Sequence, residues 1–472
     1  MISTLLKWSV GLSVVAAKAM TGTNAGGWMV LEPWITPSLF YRFLDKGKND
    51  TAMDSWTLCE ALGPDEGNAV MRAHWAAWYN ESSISDLADR GVEIIRLPVG
   101  DWTLNPYGVY VGCMDGAAER IDWFYDMCAK YNIKVLMDVH AMKDSQNGYD
   151  NSGKTSNVVW SDDTHFLHWA NQASNWYGDW NVTTQKYDHI NYSSVNWGLK
   201  VHESLLQRWG SHSAFYAFEP INEPQYQPIL PVLHDFYRSS RKLVQRYTAN
   251  AWFVMHNAQV LHPNFWNSVF RDDDMDHVAI DIHYYQAFLK GNPNMFKTPQ
   301  DSCDDYETTI SIQVFRLKYP VWLGEWALAT DVCAWWLGGF NTANTHPQYP
   351  CEPVVCPTPY MAMDDTGKGV DIPDRTKADA YGPFGDPTMA NSTLIVAGQC
   401  TSDSLKFKGK DVETIARCAL DTFDRHLNAT FMWTAHNEIE EKWDYVKAWD
   451  LGWINKTALA PGQQLFHEEM IQ

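Results

Sequence analysis

Ala217–Gln225, reading AFEPINEPQ, decides the fold when it is set beside Val321–Ala327, reading VWLGEWA. Each is an apolar run that ends in a glutamate, Glu223 in the first and Glu325 in the second. Short apolar runs buried on both faces are how strands of a parallel sheet read. A carboxylate at the C-terminal end of such a strand stands where parallel α/β barrels gather their chemistry. Outward from these two, whose strands read as Phe215–Asn222 and Val321–Gly324, six further runs share the pattern: Thr21–Trp28, Val92–Val99, Lys134–His140, Trp252–Asn257, His277–His283 and Thr430–Trp433. Helical spacing of apolar residues fills the intervals at Ala117–Tyr131, Ser193–Arg208, Ile229–Tyr247, Tyr306–Tyr319 and Val412–His426. Strands alternating with helices pair in parallel through right-handed crossovers. Eight such units predict a closed (β/α)8 TIM barrel, with Glu223 ending strand four and Glu325 ending strand seven.

The chain has 472 residues and no linker that divides it, so a single catalytic domain over 18–472 is expected. Asn341–Lys410 interrupts the rhythm with eight of the 22 prolines and little periodicity, and reads as a long insertion between strands seven and eight. The first 17 residues, short, apolar and rich in small residues, resemble a signal peptide, with cleavage after Ala17 or Ala19. Asn-x-Ser/Thr sequons at Asn49, Asn80, Asn181, Asn191, Asn391, Asn428 and Asn455 suit a secreted, glycosylated surface, extracellular or in a cell wall. In an oxidising compartment most of the nine cysteines pair and at least one stays free; a bridge from Cys333 into the loop holding Cys351 and Cys356 is one candidate. No cysteine or histidine spacing suggests a metal, and no glycine-rich loop suggests a nucleotide, so neither metal nor cofactor is expected. A net charge of −21 argues against nucleic acid and anionic membranes as partners and fits a neutral substrate. A monomer is expected. The 24 tryptophans and 22 tyrosines are mostly core, with a minority free to stack on sugar faces.

Two carboxylates facing one pocket are the minimum needed to cleave a glycosidic bond. In Asn222-Glu223-Pro224, Asn222 is placed to bind a sugar hydroxyl while Glu223 donates a proton, which requires a carboxyl whose pKa a neighbouring carboxylate has raised. Glu325, after Gly324, is the nucleophile and must stay ionised; Arg96, at the end of strand two, is its expected partner, with a structural salt bridge as the competing role. His140 and His283 each end a strand at the same mouth. Tyr285 is placed to hold Glu325 by its hydroxyl, and Trp433 to floor the cleaved sugar or simply to fill the core.

Gly26-Gly27-Trp28, the run Leu31–Phe40 (LEPWITPSLF), Arg96-Leu97-Pro98, Ser145–Gly153 (SQNGYDNSG), Asn222-Glu223-Pro224, His283–Gln286 (HYYQ) and Gly324-Glu325-Trp326 together resemble fungal exo-β-1,3-glucanases of glycoside hydrolase family 5. The resemblance runs from about residue 20 to about residue 455. It implies a retaining β-glucosidic hydrolase with Glu223 as acid/base and Glu325 as nucleophile, releasing glucose from non-reducing ends of β-1,3-glucans. It further implies that Glu32, Asp150, Asn151, His140, Asn222 and His283 line the terminal-sugar pocket, with Tyr149 and Phe288 as an aromatic clamp at its entrance. The chain departs from that pattern at Ala435, at Thr342 and at Ala141–Asp144. An endo-acting or broad β-glucanase and an inactive glucan-binding wall protein are the competing readings.

Overall fold

In the computed structural model, eight short parallel strands close on one another into a barrel. We number them β1 (Met20–Asn24), β2 (Ile94–Gly100), β3 (Lys134–Ala141), β4 (Phe215–Glu219), β5 (Trp252–His256), β6 (Val278–His283), β7 (Val321–Trp326) and β8 (Ala429–Met432). Every neighbour around the ring is also the neighbour in sequence, and β8 returns to β1. The structure describes residues 18–43, 49–156, 158–160, 166–169, 175–181, 183–184, 186–225, 230–248, 250–289, 296–331, 334, 336–337, 351–355, 399–404 and 407–455. The N-terminal leader, most of the 341–410 insertion and Cys333 fall outside them. Within the insertion, Cys351–Val355 and Gln399–Ser404 pair as an antiparallel ribbon.

The strands match the apolar runs, with differences at their ends that have physical causes. The fourth strand stops at Glu219 rather than at Asn222 because Pro220 has no N–H to donate to the sheet. The seventh runs two residues beyond Gly324. Helices surround the barrel: α1 (Ser55–Trp78), α2 (Glu81–Asp89), α3 (Ala117–Lys130), α4 (Tyr192–Trp209), α5 (Leu230–Tyr247), α6 (Pro299–Val314) and α7 (Lys410–His426). The α6 helix starts seven residues before the expected Tyr306, because Thr298 and Asp301 form a capping box around Pro299 at the first helical position. Among the described residues no helix is long and apolar enough to cross a membrane.

Among the described residues two disulfides staple this outer ring. Cys59–Cys113 ties α1 to the loop after β2, and Cys303–Cys418 ties α6 to α7. Each closes a long loop, of the kind that stabilises a fold by about 2–4 kcal/mol. Cys128 is a buried free thiol on α3. The main core lies between strands and helices and absorbs tryptophans such as Trp28, Trp75, Trp209 and Trp266. A second, separate apolar cluster fills the barrel: Ile94, Leu136, Ala217, Val254, Ala279, Trp322, Ala429 and Phe431.

Candidate active site

Side chains on a strand repeat every second residue, so two residues beyond each member of the inner cluster comes the next side chain on the same face. From Ile94, Leu136, Ala217, Val254 and Ala279 this step leads to Arg96, Asp138, Glu219, His256 and Asp281, all fully buried. Arg96 is the hub. Its Nε lies 2.8 Å from Glu219 and its Nη2 3.2 Å from Asp138. Its Nη1 donates to Asn24 at 3.1 Å and to Glu325 at 2.9 Å, and its Nη2 to Asn222 at 2.7 Å. An uncompensated charge in such a place is prohibitively costly, so the guanidinium and its acids require one another.

The two glutamates enter this layer through breaks in regular backbone. On β7 the register with β6 jumps from Ile282↔Leu323 to His283↔Glu325, a bulge at Gly324. A Cβ on Gly324 would strike the Asp281 carboxylate, which accepts a hydrogen bond from the Gly324 N–H at 2.6 Å. The glycine therefore serves the approach of Asp281, and the bulge turns Glu325 to the mouth beside His283. Glu223 follows the end of β4 in a left-handed conformation, φ 37°, held by Asn147 donating to its carbonyl at 3.2 Å.

One nitrogen joins the pair. Nδ1 of His283 is 2.8 Å from Oε1 of Glu223 and 3.4 Å from Oε2 of Glu325. Those two contacts place both carboxylates around one imidazole nitrogen, so the pair faces a single point of the cavity. Tyr285 donates its hydroxyl to Glu325 at 2.7 Å, and Asn151 donates to Glu223 at 3.3 Å. The other nitrogen of His283 bonds Asp281 at 3.1 Å. His256 packs edge-on against His283, its Nδ1 taking the Ala258 N–H at 2.9 Å.

Charge is distributed here otherwise than expected. Burial works to raise the Glu223 pKa, but the hydrogen bond and positive charge of His283 outweigh it, and the net shift is downward. His283 itself is desolvated, yet Glu325, Asp281 and Glu223 lift it well above its ordinary range, which favours the charged ring between the acids. Glu325 is raised, by burial first and then by Glu223, against the lowering effect of His283 and Arg96. The expectation that a neighbouring carboxylate raises Glu223 is corrected: the histidine between the acids shifts it downward.

These groups open into a cavity of about 760 Å³. Glu32, Asp150 and Asn151 line it together with Glu223, His283, Tyr285, Glu325 and Trp433, and Tyr149 and Phe288 stand at its exposed rim. Burial, then the charge of Asp150, raises Glu32 well above the carboxylate range, although Trp34 donates to it at 2.9 Å. Burial and Asp54 push Asp150 up to about 7. A carboxyl that holds its proton both donates and accepts hydrogen bonds, which suits neutral hydroxyls. Arg96, Asn222 and His140 are not on the cavity wall. His140, expected to touch the sugar, is 1% exposed, stacks on Trp433 at 5.3 Å, and is fixed by Asp138 at 2.6 Å and Asn222 at 3.3 Å. It orients the cavity floor instead.

Sequence reasoning noted Asp138 and Asp281 only as strand-end neighbours of His140 and His283, and did not single out Glu219 or Asn24, although for the acids a signal was there. An acid in the middle of an otherwise apolar buried strand, as in FYAFE, KVLMDV or VAIDI, demands a buried cation at the same height.

Three curated relatives are called glucan 1,3-beta-glucosidases. That of Pichia angusta is 32% identical over 67% of this chain and 66% of its own length. That of Blumeria graminis is 30% identical over 68% and 67%, and that of Schizosaccharomyces pombe 28% identical over 70% and 73%. The chain thus spans about two thirds of the length of these relatives. Among solved structures, a rutinosidase from Aspergillus niger superposes with a TM-score of 0.59 at 16% identity, covering 93% of this chain and 98% of that one. The protein AoRut superposes with a TM-score of 0.60 at 17% identity, covering 94% and 98%. Both share the barrel fold. No family model matches the chain.

Proposed function

The chain belongs to the glucan 1,3-beta-glucosidase family, and from that premise we propose that it is a glycoside hydrolase that releases glucose from the non-reducing ends of β-1,3-glucans with retention of configuration. The observation that carries the reading is the single nitrogen of His283 shared between Glu223 and Glu325 at the wall of one cavity. Two carboxylates bridged by one imidazole nitrogen at a single cavity wall suit the close pair that direct attack requires.

Glu325 attacks the anomeric carbon while the bond to the leaving oxygen breaks and that oxygen takes a proton from Glu223. Glu223 draws this proton from His283 along their 2.8 Å hydrogen bond. Arg96 and Tyr285 hold the two oxygens of Glu325 in place for the attack. In the second half, Glu223 takes a proton from water and passes it back to His283, while the water oxygen displaces Glu325 from the anomeric carbon; a sugar hydroxyl in place of water gives transfer. Glu32, Asp150 and Asn151 supply hydrogen bonds to the terminal glucose, Trp433 its floor, and Tyr149 with Phe288 the clamp on the next sugar. Every acid and base the cycle requires is a side chain of this chain.

The signal-like leader, the sequons and the two disulfides support a secreted enzyme acting on wall or extracellular glucan as one catalytic domain. The test is a digest of laminarin-type oligosaccharides with the anomer of the first product followed by NMR. β-Glucose as the first product is expected. α-Glucose would overturn the retaining mechanism, and longer oligosaccharides appearing first would overturn exo action.

A further inference from the structure

We propose that Trp180 forms a binding platform for the second sugar on the leaving-group side of the cavity, so that the enzyme favours glucans longer than a disaccharide. This rests on the β-glucan reading above and extends it to a position that nothing there assigns.

The proton donor marks the direction. Since Glu223 protonates the leaving oxygen, the departing chain must lie on the Glu223 side of the cleavage point. The cavity lining includes Glu223, Pro224 and Gln225 after β4, Gln259 and Leu261 after β5, and Trp180, which arrives from an excursion between β3 and α4. Strands β3, β4 and β5 are consecutive in the barrel, so Trp180 and Leu261 come from the strands that flank the proton donor. Gln259 reaches Glu223 at 3.5 Å, which ties this part of the wall to the reacting bond.

The element that carries Trp180 is built to hold a ring still. Gly178–Asn181 and Lys186–Ile190 form an antiparallel hairpin in which Trp180 is registered against Tyr187. Their rings meet edge to face at 5.0 Å. At the tip, Asn181 accepts from the N–H groups of Thr183 and Thr184 and donates to Asp188. At the base, Gly178 packs where a Cβ would run into the His189 carbonyl, and the Asn191 N–H closes onto Tyr177 at 2.6 Å. The adjoining Trp176 is fully buried against Phe236. A hairpin with both ends fixed, presenting a half-buried indole to a cavity larger than the catalytic pair needs, has the form of a stacking surface. Indoles bind flat, weakly polar faces at low entropic cost.

The experiment compares kcat/KM for laminaribiose, laminaritriose and laminaritetraose in the wild type, Trp180→Ala and Trp180→Phe. A disaccharide spans the cleavage point and the first leaving-group position only. Trp180→Ala should leave it unchanged and lower the value for the triose and tetraose roughly tenfold, mainly through KM, while Trp180→Phe recovers most of the loss. An equal loss on all three substrates, or none on any, would overturn the platform. A wild-type chain that releases no glucose from any of them would instead overturn the substrate reading, and the platform with it.

Discussion

Two layers inside the barrel, one side-chain step apart on the same strands, have opposite chemistry. The lower is Ile94, Leu136, Ala217, Val254, Ala279, Trp322, Ala429 and Phe431, oily and closed. The upper is Arg96, Asp138, Glu219, His256 and Asp281, as thoroughly buried but polar and ionisable. Burial therefore does not distinguish structural from chemical parts of this molecule. The lower layer is stabilised by area removed from water, which tolerates small changes of shape. The upper layer persists because each charge has a fixed partner, and there the loss of one member leaves the rest exposed to a low dielectric.

Four substitutions probe that contrast. Glu325→Gln should lower turnover by about 10⁴-fold or more while oligosaccharide binding measured by calorimetry is retained; a variant that keeps a tenth of its activity would place the nucleophile elsewhere. Arg96→Met removes the hub but keeps the bulk. It should cost about 3–5 kcal/mol of stability in a urea titration, through the acids it strands; a neutral result would mean those acids are protonated and need no cation.

His283→Gln addresses the proton. His283 lies above its ordinary 6.5 because of Glu325, Asp281 and Glu223 around it, so it keeps its charge as pH rises through neutrality. The variant should lose roughly 10²-fold in kcat/KM, and its alkaline limb should move to lower pH, since the proton then resides on the Glu223 carboxyl alone. An unmoved alkaline limb would detach His283 from proton delivery. Ile94→Val, two residues before the hub, should cost only about 0.5–1.5 kcal/mol and leave the pH profile untouched; a loss as large as that of Arg96→Met would erase the contrast between the layers.

Much of this was legible in the chain. The eight barrel strands coincide with the apolar runs, because a strand buried on both faces has to be continuously apolar. The strand ends were less legible: Pro220 ended β4 early, and the capping box at Thr298 started α6 early, both local effects outside the apolar pattern. The residues read as a site converge on one mouth, since the C-terminal ends of parallel strands all face the same way. His140 was displaced from the wall to a position stacked on Trp433, and Trp180 was overlooked, because its strand of four residues is too short for alternation to stand out. The Cys59–Cys113 and Cys303–Cys418 pairings were beyond reach for a plainer reason: spacing does not tell which cysteines meet.

By itself the sequence determined the barrel and the two strand ends where acids stand, for period and apolarity are local properties that sum along the chain. Only the closed structure decided how those acids are charged. The bulge at Gly324, the left-handed turn at Glu223 and the ring of His283 between them bring into contact groups 102 residues apart in the chain, and electrostatic energy depends on distance in space, which no local pattern encodes.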